Sequence, residues 1–493
     1  MKINSYRNVL RVICVALFIV LLTNSLTFSS NNIPQANGME GLVPRLEPTQ
    51  HISSNPNLYV SAENPFFKNY FAGPQVIEVI VLDPDINRLD QAYGEPIVTI
   101  NSKRLRMAQT TDGSWHAYFA DMNQAQLADA TQLSNSGKGL DFGQFCSISS
   151  AIATGVDFSE TKGIAIARHF SGASNGTQTL GTCLPANIGG VVNLQGGSRL
   201  NHVVRQNGTL NGQAPGGRLG QIATSNVAFS NAWPIIQLYD FSGVPETITV
   251  QYQKAGGEQS VDLIFDRIPS KYIKIVSNRY DFPQGAELQA DLIDPQLNID
   301  PTEEDSWTWG ASINNNTMFY QAFDRNGNLD ADGTAGMQNI SGNLTALMFN
   351  HNGKLIIIPR PQGVQVGESQ SNGIQKMFKD SSGFMRTQSI SGTSGAITGL
   401  EVQPNVGIFA DYDTSGKADI RVIDNAKRDT SINAKYNDIS YSVIVKYHNA
   451  KLTMGWPSAQ TSTITKPAVM QSEELSGFNV FLKFDVLKNL FFD

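Results

Sequence analysis

One arrangement occurs twice in this chain and constrains it more than any other feature. VIEVIVLDPDIN, at Val76–Asn87, is a strand-like apolar run that ends on Asp-Pro and then Asn. At Ala286–Asn298 the chain reads AELQADLIDPQLN, again a strand-like run closed by Asp-Pro and then Asn. Asp-Pro starts a turn at a strand end, so each copy is read as a strand meeting a corner. Each copy is also followed, after a polar loop, by an expected strand ending in Ile-Asn, at Ile100–Asn101 and Ile313–Asn314. Upstream, Leu58–Val60 and Ile273–Val276 each precede a segment with proline. A duplicated block of this size implies two related bodies about 210 residues apart.

Other segments read as strands too. Thr247–Tyr252 alternates polar with apolar, KAGGE turns the chain, and Val261, Leu263 and Phe265 alternate again, as in a hairpin with one buried face. Glu287–Leu292 and Tyr441–Tyr447 share that period. Val76–Leu82 and Leu355–Ile358 are more continuously apolar, as strands covered on both faces are. No long amphipathic helical pattern stands out. The expected class is all-β, with tandem Ig-like antiparallel β-sandwich domains at 58–269 and 270–451. A plain sandwich needs only about 100 residues. In the first domain the excess is a long insertion at 125–232, rich in Gly, Ser and Asn. Residues 452–493 fit no repeat.

The N-terminus is set apart. Lys2, Arg7 and Arg11 precede an apolar run, Val12–Leu22, and then small residues. This is the layout of a secretory signal peptide over 1–29, followed by a Pro-, Asn- and Ser-rich linker at 30–57. The apolar run is shorter than the ~20 residues of a membrane span. The chain carries 36 Lys and Arg against 43 Asp and Glu, a net of −7; loss of the three leader cations takes it to −10 (−7 − 3). That balance argues against nucleic acid as a partner. Export leaves Cys146 and Cys183, for which a disulfide is the default reading and a paired-thiol metal site the weaker one. Sequons stand at Asn175, Asn207, Asn315, Asn339 and Asn343, so glycosylation is expected.

Three kinds of loop carry alternating oxygen side chains, the pattern that surrounds a hard cation such as calcium. The corner motif supplies Asp83, Asp85, Asn87 and Asp90, echoed by Asp294, Asn298 and Asp300. DRNGNLDADG supplies Asp324, Asn326, Asn328, Asp330 and Asp332, and DYDTSGKAD supplies Asp411, Asp413, Ser415 and Asp419. Neither of the latter has the acidic twelfth residue of an EF-hand. The bland alternative is that Asp, Asn and Gly are what turns are made of. No GxSxG, HExxH or P-loop pattern is present. The six histidines are scattered singly, and His116, beside Trp115, is read as packing. Glu303, Glu304 and Asp305 are read as a solvated loop, and Trp307 and Trp309 as core residues.

Taken in order, GPQVIEVIVLDPDIN (73–87), GEPIVTINSKRLRMAQTTDGSWHAYFAD (94–121), GLDFGQFC (139–146), WPIIQLYDF (233–241), ITVQYQKAGGEQSVDLIFD (248–266) and LIDPQLNIDPTEEDSWTWG (292–310) resemble the S-layer proteins of thaumarchaea, the ammonia-oxidising archaea. The resemblance implies tandem Ig-like domains, secretion to the cell surface, and self-assembly with other S-layer subunits into a lattice holding cations and glycans. Members of that family are usually several times longer, so this chain is expected to be either a short paralogue or a truncated copy of such a subunit, meeting the membrane only through its leader or the lattice's anchoring. The competing expectation is a secreted or surface-attached adhesin or carbohydrate-binding module. A secreted hydrolase is the weakest of the three.

Overall fold

The computed structural model describes residues 55–446 except 90–93, 132–139, 149–155, 167–179, 182–202, 205–209, 212–231, 244–246, 311–316, 322–338, 350–352, 354, 360–363, 367–373, 380–384, 391–395, 413–416, 423–425 and 430, and beyond them only three strands. The signal reading and residues 30–54 of the linker reading lie outside the described residues; at its end Asn55 and Asn57 donate to Ser260 O (2.9 Å) and Leu82 O (3.1 Å). The protein is mostly β-sheet. Residues 44–447 form one compact unit. Residues 448–493 belong to another, in which Lys451–Gly455 pairs antiparallel with both Thr461–Thr465 and Phe481–Phe484.

The first half of the main unit begins with β1 (Leu58–Val60), β2 (Tyr70–Phe71) and β3 (Ile77–Val81). Next come β4 (Ile97–Ile100), β5 (Lys103–Leu105), β6 (Ala108–Gln109) and β7 (Trp115–Asp121). After β8 (Gln144–Cys146), β9 (Gly163–Ile166) and β10 (Ile235–Tyr239), the half closes with β11 (Thr247–Lys254) and β12 (Gly257–Phe265). One sheet runs β1-β3-β7-β10-β9-β8, with β6 also on β7; the other runs β2-β12-β11-β4-β5. The hairpin expected at 247–265 is β11–β12, with Val250 opposite Val261. Alternation on β7 explains how the layers stack. Trp115, Ala117 and Phe119 enter the core between the two sheets, while Tyr118 and Ala120 enter a second core on the other face. β10 lies parallel to β7, a pairing that needs a long crossover, and residues 122–234 supply it. Thus the sequence expected as an insertion extends the sheet. It also holds an α-helix absent from the sequence reading, α1 (Met122–Asp129), started by the Asp121 side chain accepting from Gln124 N at 2.9 Å.

The second half shares the smaller sheet and the first pairing of the larger one, but not the parallel crossover. It contains β13 (Lys274–Ser277), β14 (Asp281–Phe282), β15 (Ala290–Ile293), β16 (Ser306–Gly310), β17 (Met318–Gln321) and β18 (Leu355–Pro359). Two small pairs follow, built from β19 (Val364–Val366), β20 (Ile374–Lys379) and β21 (Met385–Ile390) together with β24 (Ile420–Val422). The rest are β22 (Ala396–Glu401), β23 (Ile408–Ala410), β25 (Ser431–Tyr436) and β26 (Ile439–Val445). Its sheets run β13-β15-β23-β22-β16-β17 and β14-β26-β25-β18. In both halves the first strand pairs antiparallel with the third, and the second pairs parallel with the last (β2 with β12, β14 with β26).

One expected correspondence is corrected. β4 pairs β11, so its counterpart is β18, which pairs β25; β16 belongs to the opposite sheet, and Ile313–Asn314 lies outside the described residues. Between Ile299 and Leu355 the second half places β16, β17 and the turns of 341–348 before that strand. The spacing after the corner motif is therefore not conserved between the halves.

A single apolar cluster runs through the joint between them. Val76, Tyr118 and Trp233 share it with Leu297, Trp307, Trp309 and Phe349. Trp307 is fully buried and donates from its ring nitrogen to Leu297 O at 2.8 Å. Polar links fix the register of the joint. Val76 N donates to Ile299 O (3.0 Å), the Gln75 amide to Pro295 O and Asn298 O (2.9 and 2.7 Å), and Arg267 to Thr345 O and Phe349 O (2.9 and 3.2 Å).

Candidate functional site

The repeated corner motif is the natural place to look for chemistry, and its carboxylates do the same thing twice. At each strand end the Asp side chain accepts from the backbone N–H two residues on: Asp83 from Asp85 (3.0 Å) and Asp294 from Gln296 (3.1 Å). Its other oxygen then accepts a tyrosine hydroxyl from the penultimate strand of the same half. Tyr252 on β11 donates to Asp83 at 2.7 Å, and Tyr436 on β25 donates to Asp294 at 2.6 Å. Each aspartate thus ties its corner to the opposite sheet. The halves differ in the second partner. The Lys254 ammonium stands 2.9 Å from Asp83, so the cation at this corner is the protein's own. Asp294 has the Gln296 amide at 2.8 Å instead and is completely buried. Burial pushes its carboxyl up to about 7, against the pull of the Tyr436 and Gln296 hydrogen bonds.

Beneath each corner a hairpin turn packs so closely that it needs glycine. Gly113 lies between β6 and β7 with φ +91°, and a Cβ there would meet Asn87 O at 2.3 Å. Gly407 lies between β22 and β23 with φ +66°, and a Cβ there would meet Pro295 Cα at 2.7 Å. An L side chain is strained at such φ values even before the clash. Gly407→Ala and Gly113→Ala should each cost at least about 2 kcal/mol in urea unfolding, with the m-value unchanged.

A carboxylate also holds each turn. Asp112 accepts from Ser114 N (2.9 Å) in the first half. In the second, Glu401 accepts from Val406 N (2.8 Å), Gly407 N (2.7 Å) and Asp305 N (3.1 Å). Asp305 accepts the Tyr320 hydroxyl (2.6 Å), Asp300 N (3.0 Å) and Ile299 N. Glu303, Glu304 and Asp305 are therefore not the solvated loop the sequence suggested. All three are buried, and Asp305 is completely so, opposite Glu401. Burial, and next the negative charge of Asp305, pushes the Glu401 carboxyl well above its usual range.

The described members of the remaining predicted ligand sets hold groups of the protein itself. Asp300 caps Thr302, accepting its N–H at 2.8 Å and its hydroxyl at 2.5 Å. Asp85 is largely exposed, 3.5 Å from Lys254. Asn87 donates its backbone N–H to Asp83 O (2.9 Å), and Asn298 its side-chain amide to Asn405 (2.7 Å). Asp411 and Asp419 are buried, each accepting a backbone N–H, from Ala290 (2.8 Å) and Thr398 (2.7 Å) respectively. Asp90, Asp413, Ser415 and the whole set Asp324, Asn326, Asn328, Asp330 and Asp332 lie outside the described residues. Among the described residues no group of three or more His, Cys, Asp or Glu side chains is placed to hold a metal. Nor is any helix there long and apolar enough to cross a membrane.

Cys146 is buried on β8, and a bridge brings Gly181 beside it; Cys183 lies outside the described residues. So do Asn175, Asn207 and Asn315, whereas Asn339 and Asn343 are exposed. A cleft of about 280 Å³ beside β5 is lined by Glu95, Arg104, Arg106, Ser159 and Glu160. Its charges are committed to structure: Arg106 donates to both Glu95 oxygens (3.1 Å each) and to Asp157 O (2.8 Å), which ties the crossover to β4–β5.

No protein-family model matches this chain, and no curated protein matches its sequence.

Sequence reasoning missed the partners of these carboxylates because they come from far along the chain. A weak signal did exist, since a tyrosine stands in the penultimate strand of each half.

Proposed function

We propose that this chain is an exported structural subunit of a cell-surface layer, made of two Ig-like sandwich domains and assembling with copies of itself. One observation carries the reading: two bodies that share the order of their smaller sheet (β2-β12-β11-β4 and β14-β26-β25-β18) are joined through one continuous core and braced at matching corners. Buried carboxylates at those corners hold backbone and tyrosine groups rather than lining an open cleft. That arrangement suits a rigid building block. An adhesin would share the sandwich plan, but it would also present a recognition surface, and neither Trp307 nor Trp309 supplies one, both being buried. A disulfide between Cys146 and Cys183 belongs to this proposal, as do glycans at the sequons and calcium in the Asp324–Asp332 loop. Extracellular calcium modules bind at ~10⁻⁴–10⁻³ M, so occupancy would follow the medium.

Purified full chain with millimolar calcium is expected to form ordered sheets or regular oligomers by negative-stain microscopy. A lasting monomer that binds glycans on an array would replace this reading with the adhesin one. Asp324→Ala combined with Asp330→Ala should lower Tm in calcium and leave it unchanged in chelator. Equal shifts in both conditions would remove calcium from that loop without touching the assembly proposal.

A further inference from the structure

A chain of polar side chains runs from β3 to the β6–β7 turn, around the histidine that the sequence assigned to packing. His116 Nδ1 lies 2.9 Å from Glu78 Oε1, and its Nε2 lies 2.8 Å from Ser114 Oγ. Ser114 Oγ is 2.5 Å from Asp112 Oδ1, which also takes the Thr110 hydroxyl at 2.5 Å. These distances are those of a serine–histidine–carboxylate triad, but the protons are not. Two oxygens 2.5 Å apart, one of them a carboxylate, need a proton between them, and Ser114 supplies it. A serine that donates to Asp112 is not being activated by the imidazole. Ser114 is also only 4% exposed, so no substrate carbonyl reaches it.

The same bookkeeping fixes what the ring does. With its proton committed to Asp112, Ser114 offers Nε2 a lone pair, so Nε2 must donate. Nδ1 faces a carboxylate oxygen and donates as well. Only the doubly protonated ring fills both roles. We infer that Glu78, His116, Ser114 and Asp112 form a proton-operated clasp on the first half, closed while the ring carries two protons and short of one donor when it carries one. Histidine is the side chain whose ordinary charge change falls between pH 5 and 8, which makes that range the one to test.

The surroundings make the charge matter. Facing the ring are Glu78 from β3 and Asp112 from the turn. Tyr118 from β7 hydrogen-bonds Glu78 and also feels the Asp300 charge, and Tyr59 from β1 feels the charges of Glu78 and Glu63. Burial opposes ionisation of Asp112, but the Ser114 and Thr110 bonds outweigh it and hold that carboxyl below its usual range. Tyr118 and Tyr59 are both pushed up, first by burial and then by the Glu78 charge, so they stay neutral. Tyr59 also meets the second half, its hydroxyl accepting from Asn405 Nδ2 at 3.3 Å, while Asn405 donates to Ser61 O at 2.8 Å. A Glu78 left without its counter-charge therefore sits one residue away from the joint.

Thermal unfolding of the full chain and of His116→Gln across pH 5.5–8.5 tests the clasp. Wild type is expected to unfold several degrees above the variant at pH 5.5, with the gap at least halved at pH 8.5. A gap that stays constant with pH overturns the inference. Nitrogen-15 imidazole spectra give an independent readout if the variant does not fold. Both His116 ring nitrogens should be protonated at pH 5.5, and Ser114→Ala should lower the midpoint of that titration. A singly protonated ring at pH 5.5, or an unchanged midpoint in Ser114→Ala, also overturns it.

Discussion

Glu401→Ala is expected to destabilise the main unit by about 3–5 kcal/mol. The side chain is 1% exposed and accepts three backbone N–H groups, from Val406, Gly407 and Asp305. Each buried donor left unsatisfied costs about 1–3 kcal/mol, and the relief of burying one carboxylate beside Asp305 offsets part of the sum. Urea unfolding followed by circular dichroism reads the loss directly; a change under 1 kcal/mol would mean that water or a rearranged turn replaces the carboxylate. The same residue gives a pH dependence of definite sign. Its folded carboxyl is raised, so between the unfolded value of about 4.3 and the folded one the native state binds more protons than the unfolded chain. Stability then falls as pH rises through that window. Glu401→Gln cannot titrate, so its unfolding midpoint should change less between pH 4.5 and 8 than that of wild type. Equal slopes would assign the dependence to other groups.

Asp294→Ala and Asp83→Ala remove the same side chain from the two matching corners and should not cost the same. Asp294→Ala leaves the Tyr436 hydroxyl buried without its acceptor and strips the Gln296 N–H and amide of theirs, for a cost of about 3–4 kcal/mol. At the other corner Lys254 is 23% exposed, so its ammonium turns to water once Asp83 is gone, and the loss should be nearer 1–2 kcal/mol. Tyr436→Phe and Tyr252→Phe should keep that order at smaller size. A reversed order would show that the corner cation outweighs burial.

These contrasts also mark where the sequence stopped being legible. Strand periodicity was readable at 247–265 because alternation in a hairpin is a local signal, and β11 and β12 follow it residue by residue. Asp-Pro corners were readable as a duplicated design for the same reason. What the corner aspartates touch was not, since Tyr252 is 169 residues from Asp83 and Tyr436 is 142 from Asp294. The run Glu303–Asp305 misled for a related cause. Adjacent acids normally face water, and only the fold reveals Tyr320 and Glu401 waiting in the core. Helix α1 was missed because MNQAQLAD has little apolar periodicity; its Asp121 cap and the packing of Ala125 and Ala128 decide its shape. His116 was read as a packed residue because the acid facing it, Glu78, is 38 positions away on another strand.

The parallel pairing of β2 with β12, and of β14 with β26, has a mechanical consequence. If a half were pulled through its second strand at one end and its last strand at the other, these parallel neighbours would slide lengthwise instead of peeling open. Every rung of the ladder is loaded at once, so rupture must break them together.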